Sequence, residues 1–117
     1  MSLFDRYVMV DWSAHSTPKR GRDSIWIASG TWRGRVDLVN PPTRHEAVAL
    51  LTDLVLANAK ERVLIGFDFS FGYPAGFAEA VLGVGAAWSE VWAMLHERIA
   101  DGATNTNNRF EVAAHLN

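Results

Sequence analysis

The sequence predicts an α/β fold on three observations. Three short β-type runs precede a strongly periodic helical segment, and a nearly continuous apolar run follows it. Two of the strands so defined also end in the same triplet of aspartate, aromatic and serine, "VDWS" and "FDFS".

The first run, "RYVMVDWS" from Arg6 to Ser13, is short, apolar and rich in β-branched and aromatic residues, and it gives way to a polar loop from Ala14 to Asp23. "SIWIASG" (24–30) and "RVDLVN" (35–40) read as the next two strands. The "GTWRGR" between them carries two glycines suited to a hairpin turn. The three strands are expected as an antiparallel meander. Pro41 and Pro42 then break the β pattern, and Ala47, Leu50, Leu51, Leu54 and Asn58 fall on one helical face. Thr43 and Glu46 have the spacing of a capping box at the start of that helix. "RVLIGFDF" follows as an unbroken apolar run, which predicts a central strand covered on both faces and parallel to the first.

Beyond Asp68 the pattern is helical. Pro74 suits the first helical position before "AGFAEAVLG", and Trp88, Trp92, Leu95 and Ile99 stripe a helix from about Ala87 to Ala100, where the tryptophans are expected in the core. A last helix is expected from Asn108, with Glu111 completing a second capping box.

About half of the 117 residues are hydrophobic and a fifth are charged, a balance that predicts one globular domain over 1–117. No apolar run approaches the roughly 18–20 residues of a membrane helix, and "MSLFDRY" has no signal-peptide pattern, so a cytoplasmic protein without membrane partners is expected. Without cysteine, disulfides and thiolate zinc sites are excluded, and any metal must be held by oxygen or imidazole. His15, His45, His96 and His115 have no zinc-type spacing. The net charge of −2 gives no global attraction to nucleic acid. The basic loop "PKRGR" supplies Lys19, Arg20 and Arg22 as candidate phosphate-binding residues; a solvated turn is its alternative reading.

Asp68, in "IGFDFSFGYPAGF", is a carboxylate in a run of aromatics. Burying it alone would cost several kcal/mol, so a partner is required. Side chains alternate along a strand, which puts Asp68 and Ser70 on the side opposite Phe67 and Phe69, and Asp11 and Ser13 opposite Trp12. If the fourth strand pairs in parallel with the first, Asp11 and Asp68 come together at their carboxyl ends, where open α/β sheets bind ligands. Parallel neighbours are about 4.8 Å apart, close enough for two carboxylates to share one divalent cation. The same aspartates could instead accept hydrogen bonds from loop amides.

This order of elements over about Arg6–Asp68, with the wording "VDWS…NPPTRHEA…GFDFSFGYPAGF", resembles the ribonuclease H-like superfamily and an uncharacterised bacterial family within it. The resemblance implies a ribonuclease H-like domain in which Asp11, Glu46 and Asp68 are catalytic and metal-holding, with Mg²⁺ or Mn²⁺ as cofactor. It implies a metal-dependent phosphoesterase, first of all a nuclease, acting on nucleic acid or nucleotide. From their positions, Ser13 and Ser70 could orient water or phosphate, with hydrogen bonds to their own loop backbones as the favoured alternative. The superfamily's fifth strand and its later acidic helix find no match after Asp68, so an N-terminal fragment of a longer chain is expected, with a homodimer through the surface that truncation would expose. Two other readings stand beside the enzyme: an actin-like nucleotide-binding module, and a non-catalytic interaction domain that uses the Trp88 and Trp92 helix.

Overall fold

The computed structural model describes residues 2–117 in two compact units: the chain through Phe69 together with Ala103–Asn105, and Ser70–Gly102 together with Thr106–Asn117. In the first unit, strands β1 (Arg6–Asp11), β2 (Trp26–Gly30) and β3 (Val36–Val39) precede helix α1 (Arg44–Ala57) and strand β4 (Val63–Phe67). The sheet runs in the order β3-β2-β1-β4; β2 is antiparallel to β1 and β3, and β4 is parallel to β1. The architecture is therefore α/β with a mixed four-stranded sheet, as the meander and crossover helix predict.

Alternation along the strands builds the core. Val8 and Val10 of β1 and Ile25 and Ile27 at β2 pack with Ala47 and Leu51 of α1, and Leu54, Val63, Ile65, Phe67 and Trp12 close the cluster at its edges. Burying each such aliphatic side chain contributes roughly 1.5–3 kcal/mol. The helical face is narrower than the spacing suggests. Ala47, Leu51 and Leu54 turn inward, whereas Leu50 is exposed. Thr43 caps α1 in extended backbone, its Oγ1 accepting the Glu46 N–H at 3.1 Å.

β4 is an edge strand, not a central one. Its continuous apolar run is explained by packing on one side and an open apolar surface on the other. Leu64 is exposed, as are Met9 (58%) on β1 and Leu38 (66%) on β3, which alternation places on that same face.

The second unit holds α2 (Phe77–Leu82), α3 (Trp88–Arg98) and α4 (Arg109–Leu116). Three sequence expectations change here. α2 begins after Gly76, not at Pro74: Gly76 takes φ +86°, a left-handed conformation open to glycine, while Pro74 sits in the preceding turn and its carbonyl accepts the Phe77 N–H. α3 buries Val91 and Met94, and Trp88 and Trp92 lie 71% and 37% exposed on the neighbouring sector of the helix. The tryptophans are not core. Asn108 stands at the N-cap of α4 without capping it; its amide turns to the end of α3, accepting the Ala100 N–H and donating to the Arg98 carbonyl, both at 2.9 Å. The unpaired polar groups that follow a helix C-terminus recruit the side chain that the box spacing assigns to α4.

Candidate functional site

The parallel register of β1 and β4 creates the site. Val10 pairs with Phe67, so the next residues, Asp11 and Asp68, leave the sheet side by side. Asp68 N–H donates to the Val10 carbonyl at 3.3 Å, the last backbone bond between the strands. One residue on, the ladder changes partner: the Trp12 N–H donates to Asp68 Oδ1 at 2.8 Å. A carboxylate oxygen takes the place of a strand carbonyl. This ends β1 at Asp11, two residues before the expected Ser13, and fixes the Asp68 carboxyl against the end of its neighbour.

The aromatics take the opposite side. Trp12 meets Phe67 and Phe69 edge-on, each at 6.1 Å between centroids, and Phe67 and Phe69 lie 5.0 Å apart. Edge-on rings of this kind add to the stabilisation from area burial. Both aspartates are exposed, so the solitary buried charge suggested by the aromatic run is absent. The two carboxyls have each other instead. Asp11 is raised above the ordinary aspartate value by a hydrogen bond between the carboxyl groups, by partial desolvation and by repulsion from Asp68.

Around the pair, the other predicted residues spread out. Glu46 is exposed in the first turn of α1, with its backbone N–H on Thr43. Among the described residues no group of three or more His, Asp or Glu side chains is placed to hold a metal together. Ser13 Oγ donates to the Asp23 carbonyl at 3.2 Å and accepts the His15 N–H at 3.3 Å, which makes it a loop-former. Lys19 and Arg22 each approach Asp23 Oδ2, at 3.9 and 3.8 Å, and Arg20 donates to the Asn40 carbonyl. The basic loop is thus tied largely to itself and to Asn40, just past the end of β3. Ser70 is exposed two residues beyond Asp68, and the His15 ring engages Thr17.

Two residues that support this loop escape the sequence reading. Arg44, at the first helical position of α1, is buried, and its guanidinium donates to the His15 carbonyl at 2.9 Å, the Ser13 carbonyl at 3.5 Å and the Asn105 carbonyl at 2.6 Å. Asn105, also buried and in left-handed backbone (φ +69°), accepts the Arg44 N–H on Oδ1 at 2.8 Å. It donates through Nδ2 to the Thr17 and Pro42 carbonyls. These bonds pin the loop that leaves Asp11. The available signal was an asparagine in the polar run "ATNTNN", since asparagine tolerates the left-handed region. An arginine after a cap residue carried none.

Fold and site together define an α/β domain with a carboxylate pair at adjacent parallel strand ends. Comparison with family models, curated proteins and solved structures found no significant match.

Proposed function

We propose that the first unit is a divalent-metal-dependent phosphoesterase of the ribonuclease H-like kind, and that its activity is nucleolytic. The observation that carries this reading is the register of β1 with β4, which sets Asp11 and Asp68 side by side at the carboxyl edge of the sheet. Two exposed carboxylates suit a hard cation such as Mg²⁺ or Mn²⁺, which takes one or two carboxylates and completes its coordination with water and substrate phosphate. Asp11 and Asp68 would hold it. The cation supplies Lewis-acid polarisation of a phosphoryl oxygen and activation of water.

The chain's own residues supply orientation. The Trp12 amide holds one oxygen of Asp68 and leaves the rest of the carboxyl facing Asp11. The Trp12, Phe67 and Phe69 cluster anchors both strand ends from the opposite side. Arg44 and Asn105 hold the Ser13–Thr17 loop, which borders the carboxylates and sets where a phosphate can approach. Glu46 has no part in this two-carboxylate reading.

Thermal melting in millimolar Mg²⁺ or Mn²⁺ tests the reading, paired with metal-dependent cleavage of single-stranded DNA and RNA. A cation bound only by the native state at 100 times its Kd stabilises by about 2.7 kcal/mol. The wild-type Tm is expected to rise with metal, Asp11→Asn and Asp68→Asn to abolish the rise, and Glu46→Gln to leave it intact. An equal rise in all four proteins would refute the site, and metal binding without cleavage would leave a metal-binding domain that is not a nuclease.

A further inference from the structure

The second unit carries a recess of about 310 Å³ that has no part in the carboxylate site. Three aromatic residues, Tyr73, Trp88 and Trp92, line it together with the buried Val91 and small residues such as Gly72, Ala75 and Gly76. The rings are held by different elements. Tyr73 stacks on Phe77 of α2 at 4.3 Å and 11°, which fixes its plane, and Trp92 of α3 meets it at 6.0 Å and 52°. Trp88 lies one turn before Trp92, and residues four apart share a helix face. Both indoles are more than a third exposed, an unusual disposition for large side chains with two buried neighbours, Val91 and Met94, on the same helix.

The charge of the recess selects among ligands. Glu79 lines it, and no lysine, arginine or histidine does among the described residues. The Gly85 N–H donates to Glu79 Oε1 at 3.1 Å, which orients the carboxylate and leaves its second oxygen with accepting capacity. Such a wall attracts cations and repels phosphate. Rings inclined at 52° do not form the parallel sandwich that a flat nucleobase would enter, and a compact cation needs only one ring face near it. The volume lies at the low end of small-ligand pockets.

We propose that this recess is a binding site for a small organic cation, with a methylated ammonium group held against Tyr73, Trp88 and Trp92 and balanced by Glu79. Recognition would rest on cation–π attraction with a carboxylate counter-ion. The site is independent of metal and of the carboxylate pair on β1 and β4.

The test is a titration of ¹⁵N-labelled protein with choline, with its uncharged carbon isostere 3,3-dimethylbutan-1-ol, and with adenosine monophosphate, following the indole N–H signals of Trp88 and Trp92. Choline is expected to move both signals and to bind at least about tenfold more tightly than the isostere, the margin that a cation–π contact with a counter-ion provides. Trp88→Ala, a change at an exposed residue that the fold does not need, and Glu79→Gln should each weaken choline by about threefold or more and leave the Tm in place. Equal affinity for the isostere would overturn the proposal in favour of a plain apolar groove. Preference for adenosine monophosphate would overturn it in favour of base stacking, and the absence of any shift with choline would overturn it outright.

Discussion

At the residue scale, the two aspartates at the ends of β1 have pKa values shifted in opposite directions. Asp5, just before β1, accepts hydrogen bonds from the Arg62 N–H, Nε and Nη2 at the start of β4, and this pairing lowers its pKa to about 2. Asp11, at the other end of β1, is raised by Asp68. A lowered folded-state pKa contributes stability that is present above the unfolded value near 3.8 and is lost as pH falls toward 2. A raised one does the reverse: it costs stability as pH rises past the unfolded value, because the unfolded chain ionises more easily. In metal-free buffer at pH 7, Asp5→Asn is therefore expected to lower the Tm and Asp11→Asn to raise it. For Asp11, solvent screening limits the gain to about 0.5 kcal/mol, or roughly 2–4 °C. The Asp11 difference should fade as pH falls to about 3.8, and the Asp5 difference only below that, as pH approaches 2. An Asp11→Asn protein that melts lower than wild type at pH 7 would mean that the two carboxyls do not repel. Stability gained by removing an acid is also what a functional carboxylate pair implies, since nothing in the fold needs both charges.

At the scale of elements, a few side chains finish helices and hold the loops between elements. The Arg44 and Asn105 pair shows this most clearly, because it fastens α1 and the loop after β1 to a segment 61 residues along the chain. Replacing Asn105 with alanine removes three hydrogen bonds from a buried position and leaves a residue with a Cβ at φ +69°. Unmet buried polar groups cost about 1–3 kcal/mol each, so the expected loss is on the order of 2–4 kcal/mol by urea denaturation. Asn105→Gly, which keeps the backbone but not the bonds, should recover only the conformational part. The meander, the crossover helix, its Thr43 cap and the parallel return of β4 were legible because hydrophobic period and cap spacing are local signals. The strand-end pair was legible for the same reason: "VDWS" and "FDFS" share one alternation. Local signals failed where a side chain had two valid partners. Asn108 had the spacing to cap α4 and instead serves α3, through its bonds to the Ala100 N–H and the Arg98 carbonyl. Sequence spacing cannot rank such partners; three-dimensional proximity does.

At the scale of the whole molecule, the uneven distribution of apolar surface is the dominant feature. No helix among the described residues is long and apolar enough to cross a membrane, yet a sheet face remains uncovered. Alternation puts Met9, Trp26, Val36, Leu38 and Leu64 on one side of the sheet, and all five are exposed. Contiguous apolar surface of this kind drives association. The edge strands offer a second route through their unpaired backbone groups, but β3 is short and carries Asp37 with Arg35 beside it, devices that discourage edge pairing. The face, not the edge, is then the expected contact. Sedimentation velocity should show association that strengthens with concentration and weakens in Leu38→Lys or Met9→Lys. Both side chains are exposed, so each substitution should leave the stability within about 0.5 kcal/mol of the wild type. If association instead persists in both lysine variants and is abolished by a proline in β3 at Leu38, the contact runs through the edge. A monomer at all concentrations would show that the open face is tolerated in water, which would leave the homodimer expected from the sequence without support.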